Sequence, residues 1–144
     1  EAIQHEWQTG EGSLFDRSIY GDGAFAFTLY QDNLINRTGY DLYLLHRNSM
    51  ERFLLYPHLI IYLKCSSDSA LKRINHRGRN CEKDISKMYL DKLSIAYRTE
   101  VLPKLEKHSK IVTIETENKT IPQILDVIVS KYETYFKKIG DMYV

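Results

Sequence analysis

The sequence predicts an α/β domain in which helices pack around a parallel sheet, and three observations carry that prediction. Two short continuous apolar runs, His58-Leu59-Ile60-Ile61-Tyr62-Leu63 and Lys110-Ile111-Val112-Thr113-Ile114, have the character of strands buried on both faces. Helical patterns lie between and after them, which implies crossover connections and therefore parallel pairing. A third apolar stretch, Ser13-Leu14-Phe15, runs into Asp16-Arg17-Ser18 and then a helix-like segment. A parallel strand ends in this way when it delivers polar groups to the carboxyl edge of its sheet, where α/β proteins bind ligands.

Size and composition are compatible with that class. A chain of 144 residues is one domain's worth and can bury a real core. With 43% hydrophobic and 27% charged residues it falls in the ordinary globular range. A net charge of +1 gives no ground for wholesale attraction to nucleic acid or membrane, and no nucleic-acid partner is expected. No apolar run approaches the ~20 residues of a membrane helix. Cys65 and Cys81 stand far apart without metal-ligand spacing and read as free thiols. No metal site is expected. Glu1, not Met, begins the chain, which implies a preceding segment that was lost, cleaved or left out of these 144 residues.

In chain order, residues 1–9 read as the last turns of a helix stopped by Gly10 and Gly12. The first strand follows at Ser13 to Phe15. Ile19 to Tyr30 is aromatic-rich and reads as helix or loop, with Asp16 or Ser18 available as an N-cap. Asp41 to Leu55 has a helical pattern ended by Pro57. After the Leu59 to Leu63 strand, Ser67 or Asp68 can cap a helix beginning near Ala70. Ile85 to Leu102 is a long amphipathic helix with an end or kink at Pro103. Ile121 to Phe136 keeps a 3.6-residue period, with Pro122 in a first turn that tolerates it.

Two groups of residues carry chemistry. Asp16, Arg17 and Ser18 offer a carboxylate, a planar cation and a hydroxyl, the set an anionic or polyhydroxylated ligand needs. Arg73 and Arg77 share one helical face, Gly78 releases the chain, and Arg79 stands just beyond. Three guanidiniums converging from a helix end and a loop suit a transferring phosphoryl group, whose equatorial oxygens gather charge. The alternative for the first group is a helix cap, and for the second a solvated basic face.

Asp16-Arg17-Ser18-Ile19-Tyr20, the strand Leu59 to Leu63, and Arg73-x-x-x-Arg77-Gly78-Arg79-x-x-Glu82 together resemble the deoxyribonucleoside kinase family, in the right order over nearly the whole chain. The resemblance implies a three-layer, P-loop-kinase-like parallel sheet flanked by helices. Residues 1–144 would form the C-terminal portion of that domain, with a lid at about 73–84. It implies that Arg17 lies beside a nucleoside 5′-hydroxyl with Asp16 in the same substrate site. Arg73, Arg77 and Arg79 would clamp nucleotide phosphates, and Glu82 would hold the deoxyribose 3′-hydroxyl.

The chain departs from the family pattern in one respect. The family's glycine-rich loop ending in Lys-Ser/Thr is missing, because the glycines at 10, 12, 21 and 23 have no such pair after them. The acid that serves the family as general base is missing as well. The phosphate-loop strand, central in the family, is therefore lacking from this chain.

Three further stretches look more like an offshoot of the family, the nucleoside-kinase-like accessory subunit of mitochondrial respiratory complex I. They are Thr9-Gly10-Glu11-Gly12 leading into Asp16, Pro57 through Tyr62, and Tyr97 through Val101-Leu102-Pro103 to Lys107. On that resemblance the expected function is a non-catalytic accessory subunit of mitochondrial NADH:ubiquinone oxidoreductase. It would be docked on other complex I subunits at the matrix side of the inner membrane, with no certain cofactor. The alternative is a deoxyribonucleoside kinase, possible in the cytoplasm, with its phosphate-loop segment outside this chain. That protein would use ATP and Mg²⁺ and act through Arg17, Arg73, Arg77 and Arg79. A bound nucleoside or nucleotide is compatible with both.

Overall fold

Strands β1 (Leu59–Lys64) and β2 (Lys110–Glu115) pair in parallel, from Leu59 opposite Lys110 to Lys64 opposite Glu115. The computed structural model describes residues 12–140, with side chains to residue 137. Its helices are α1 (Ile19–Gln31), α2 (Arg37–Glu51), α3 (Ser67–Arg77), α4 (Lys87–Ala96), α5 (Leu102–Leu105) and α6 (Ile121–Gly140). A 3₁₀ turn spans Asn80–Glu82 and a widened π turn spans Tyr97–Val101. The result is an α/β fold with a small open parallel sheet flanked by helices. The expected helix at residues 1–9 and its Gly10 stop lie outside the described residues, as does the Thr9-Gly10-Glu11 stretch.

Contacts divide the chain into two compact units. The first holds the residues before Pro57 together with Lys92–Lys107. Its core is made largely of small side chains: Ala24, Ala26 and Thr28 on α1, Ala96, Val101 in the π turn and Leu105 are all buried. Small residues let neighbouring elements approach α1 closely. Tyr20 stacks on Tyr56 at 5.1 Å between ring centroids, and its hydroxyl donates to the Leu55 carbonyl at 3.3 Å.

The second unit holds Pro57–Asp91 and the residues from His108 onward. Its apolar, β-branched strands form the sheet, since branched side chains fit a pleated surface, but they are not buried on both faces as the sequence suggests: most of their residues are half-buried, Leu63 is half-exposed and only Ile114 is buried. Pairing extends one residue beyond each end of the ladder. Lys110 N–H donates to the His58 carbonyl at 3.0 Å and Thr116 N–H to the Lys64 carbonyl at 2.8 Å.

The third expected strand does not form. Residues 12–15 are irregular, with Leu14 fully exposed and Phe15 half-exposed. A strand needs a ladder partner for its backbone groups, and the first unit contains no other strand among the described residues. An apolar triplet alone could not reveal that.

Helix boundaries follow their caps. Ser18 occupies the N-cap of α1 without a side-chain cap bond. Helix α2 starts four residues before the expected Asp41 because Asn36 caps it, accepting the Gly39 N–H at 2.8 Å. Helix α3 is capped by Ser66, which accepts the Ser69 N–H at 3.2 Å, one residue before the expected cap. It ends where Gly78 takes a left-handed conformation at φ 66°, open to glycine without steric cost.

The expected continuous helix from Ile85 to Leu102 is interrupted by the π turn, in which Leu102 N–H donates to the Tyr97 carbonyl. Pro103 explains it. Proline has no N–H to return and its ring crowds the carbonyl four residues back, so the preceding turn widens. At α6, Thr120 and Gln123 form a reciprocal capping box, with Thr120 N–H donating to Gln123 Oε1 at 2.9 Å.

Candidate functional site

In the first unit, Asp16, Arg17 and Ser18 are exposed on the turn that enters α1, rather than at a strand end. Arg17 has φ 68°, a left-handed conformation that costs a non-glycine residue roughly 1–2 kcal/mol. Its guanidinium carbon lies 5.6 Å from the centre of the Phe25 ring on α1. A cation over an aromatic face recovers about 0.5–1 kcal/mol at an exposed site. The turn therefore holds a planar cation over α1 at an energetic cost.

The same unit holds a buried cation that sequence reasoning missed. Arg47 on α2 is buried, pairs with Glu51 one turn later at 2.7 Å, and reaches the Tyr20 carbonyl at 3.5 Å. Gly23 on α1 makes room for it, because a Cβ there would collide with Nη1 and stand 3.2 Å from Cζ. The available signals were the Arg47/Glu51 spacing and a glycine inside a helix.

In the second unit the lid arginines split into two groups. Arg77 binds Glu82 through both Nε and Nη2, at 3.0 and 2.8 Å, while Arg79 Nη1 stands 3.6 Å from the other carboxylate oxygen. Glu82 is mostly buried under these two exposed guanidiniums. Arg73 turns elsewhere, donating from Nη2 to the Thr116 carbonyl at 2.7 Å and from Nη1 to Thr116 Oγ1 at 3.0 Å. The expected convergence of three guanidiniums is thus met by Arg77 and Arg79 only. Thr116, just past β2 and almost fully buried, offers a carbonyl that needs a donor, and it captures Arg73.

Beside that contact, Glu117 accepts from the Ser66 N–H at 2.6 Å and from Ser69 Oγ at 2.5 Å. Hydrogen bonds from Ser66 first and Ser69 second, with the Arg73 charge adding, hold its carboxyl down at about 2. Lys87 pairs with Asp68 at 2.7 Å and Ser67 Oγ donates to Asp91 at 2.5 Å, tying the start of α4 to the start of α3. Helix α3 is therefore fastened at its N-terminal turn and presents Arg77 and Arg79 at its C-terminal end.

Chemically, Arg77 and Arg79 are an anion clamp whose present anion is the Glu82 carboxylate, and a phosphate group would compete for the same donors. Among the described residues no cluster of three or more His, Cys, Asp or Glu side chains could hold a metal ion. No helix among them is long and apolar enough to cross a membrane.

Comparison with known proteins bears directly on this arrangement. A family model described as deoxynucleoside kinase matches residues 1–137. The chain is 34% identical to a deoxyadenosine kinase from Dictyostelium discoideum over 129 residues, which cover 89% of this chain and 52% of that protein. It is 28% identical to the mouse mitochondrial NADH dehydrogenase [ubiquinone] 1 alpha subcomplex subunit 10 over 120 residues, 81% of this chain and 33% of that protein. The chain thus spans about half the length, or less, of these curated relatives. Among solved structures, a deoxyadenosine kinase from M. mycoides with the products dCMP and a flexible dCDP bound matches with a TM-score of 0.75 at 26% identity. That match covers 92% of this chain and 68% of the kinase.

These findings overturn the resemblance to the complex I accessory subunit, and with it the non-catalytic reading. Higher identity is found with a kinase, and the matching solved structures include a deoxyadenosine kinase with nucleotides bound. The three short stretches that suggested the subunit could not separate it from its catalytic relatives, because the kinase and the subunit each match most of the chain.

Proposed function

The chain belongs to the deoxynucleoside kinase family, and we propose that it works as the acceptor-and-lid portion of an ATP-dependent deoxynucleoside kinase. Residues 1–144 are the C-terminal portion of the kinase domain in this reading, with the lid at about 73–84. The single observation that carries it is the pair Arg77 and Arg79, on either side of a left-handed Gly78 at the end of α3 and gathered on one carboxylate.

In the reaction the 5′-hydroxyl oxygen of the deoxynucleoside bonds to the γ-phosphorus of ATP. The bond from that phosphorus to the β–γ bridging oxygen breaks, ADP leaves, and the hydroxyl proton passes to a carboxylate base. Charge on the transferring group is stabilised mainly by positioned donors. Arg77 and Arg79 supply such donors, with Arg73 held nearby on the same helix. Arg17 lies beside the 5′-hydroxyl, with Asp16 in the same substrate site. When a phosphate takes the two guanidiniums, Glu82 is released to accept from the deoxyribose 3′-hydroxyl.

Mg²⁺ arriving with ATP would offset the charge of the donor phosphates. The described residues form no cage for that ion. A glycine-rich cradle for the β- and γ-phosphates does not occur within the 144 residues. The reading therefore assigns acceptor positioning and phosphate clamping to this stretch, and transfer to a protein in which such a cradle accompanies it.

Deoxyadenosine is the first acceptor to test, given the named kinases above. Calorimetric titration of the chain with each of the four deoxynucleosides tests the reading. Saturable binding that is lost in Arg17→Ala and Glu82→Ala supports it. Absence of binding by all four, with the chain folded, overturns it.

A further inference from the structure

Beyond the lid arginines themselves, we propose that Glu117 is a positioning residue for nucleotide binding: it latches the first turn of α3 to the end of β2 and so sets where α3 presents Arg77 and Arg79. The proposal deepens the kinase reading and rests on it.

Three hydrogen-bonded groups meet at this point, all within the second unit. The Glu117 carboxylate uses one oxygen for the Ser66 N–H at 2.6 Å and the other for Ser69 Oγ at 2.5 Å. The neighbouring Thr116 takes the Arg73 guanidinium on its carbonyl and hydroxyl, and its hydroxyl donates to the Lys64 carbonyl at 3.1 Å. Thr116 N–H donates to the same carbonyl at 2.8 Å. Residues 116 and 117 thus hold α3 at two levels, at its first turn through Ser66 and Ser69 and one to two turns later through Arg73.

A helix held at both levels is fixed in direction as well as in position. Its far end carries Arg77 and, across Gly78, Arg79. A small swing at residues 66–69 is transmitted along α3, because a hydrogen-bonded helix moves as a rigid rod. Anion binding by a forked guanidinium is sensitive to such displacement. The Arg73 charge also favours the ionised Glu117 carboxylate, and the N-terminal turn of a helix favours a nearby anion.

The test uses the 144-residue chain with inorganic tripolyphosphate as the probe, and measures affinity, thermal midpoint and amide hydrogen exchange over residues 67–77. Glu117→Ala is expected to weaken tripolyphosphate binding between about tenfold and about a hundredfold at temperatures where the variant remains folded. Exchange over α3 is expected to rise. Glu117→Gln should recover most of the affinity, since an amide can accept from Ser66 N–H and donate to Ser69 Oγ. Ser69→Ala, which removes a single hydroxyl, should show a smaller loss of the same kind and serves if Glu117→Ala does not fold. Glu115→Ala removes the adjacent exposed carboxylate, paired only with Lys64 among the bonds described here, and should leave affinity unchanged.

Equal affinity for wild type and Glu117→Ala overturns the positioning role, as does a fall in thermal midpoint with affinity and α3 exchange unchanged. Failure of the wild type to bind tripolyphosphate contradicts the kinase reading instead. In that case the exchange comparison still decides the latch: unchanged protection of α3 in Glu117→Ala refutes it.

Discussion

Replacing Glu51 by Ala should destabilise the first unit far more than removal of an ordinary surface carboxylate. The Arg47 side chain is 10% exposed and that of Glu51 19%, with 2.7 Å between Nε and Oε1. Without Glu51 the guanidinium loses its carboxylate partner and is left with neutral groups, the Tyr20 carbonyl at 3.5 Å and the Tyr43 side chain. Breaking one side of a buried pair costs about 3–5 kcal/mol, and the residual exposure of Glu51 puts this case near 3 kcal/mol. For a chain of this size that lowers the thermal midpoint by roughly 6–12 °C. Arg47→Met gives the contrast: it fills similar volume without a charge and should stay within about 1 kcal/mol of wild type. Combining Arg47→Met with Glu51→Ala should restore most of the loss, because no buried charge remains to be paired. Urea denaturation followed by circular dichroism measures all three. A Glu51→Ala midpoint equal to wild type, or an Arg47→Met loss as large as that of Glu51→Ala, would refute the reasoning.

Three other perturbations have defined outcomes. Gly23→Ala places a methyl group against the Arg47 guanidinium and should cost about 1–3 kcal/mol in the same urea experiment, with the loss relieved in an Arg47→Met background. Arg17→Gly removes left-handed strain and should be neutral to stabilising by up to about 1 kcal/mol, while deoxynucleoside binding measured by calorimetry falls. Glu117 has its folded-state carboxyl depressed from 4.5 to about 2, so its contribution is fully present above about pH 4.5 and is lost as pH falls towards 2. The stability gap between wild type and Glu117→Gln should therefore be constant from neutral pH down to about 5, narrow below 4.5, and close near pH 2.

The parts of this fold most legible in the sequence were those set by period and by breakers. The runs at Leu59 to Leu63 and Ile111 to Ile114 are strands, because continuous β-branched apolar residues have few other uses. Helix α6 keeps the period read from Ile121 to Phe136. Pro103 signalled a disturbance, and its form, a widened turn, depends on how the preceding carbonyl is relieved. Ser13 to Phe15 failed as a strand because pairing is a property of two segments and the sequence exhibits one at a time.

At the site, Glu82 is singled out only by the family resemblance, whereas the placement of Arg77 and Arg79 around Gly78 could be read from spacing. Arg73 could not, since Thr116, the residue that captures it, lies 43 positions away in the chain. Glu117 is hidden in the same way, because its partners Ser66 and Ser69 lie about 50 positions away, whereas the Arg47/Glu51 spacing shows a pair on one helix without showing that it is buried. Gly23 has no Lys-Ser/Thr after it to make a phosphate cradle, and its use is to admit Arg47 against α1.

The central claim is that Arg77 and Arg79 form the phosphate clamp of a deoxynucleoside kinase. Titration of the 144-residue chain with dATP, compared with the Arg77→Ala/Arg79→Ala double variant at matched ionic strength, tests it most directly. Each lost charged hydrogen bond costs about 1.5–3 kcal/mol, so the double variant should bind at least about a hundredfold more weakly while its thermal midpoint stays close to wild type. Equal dATP affinity in the two proteins would contradict the account.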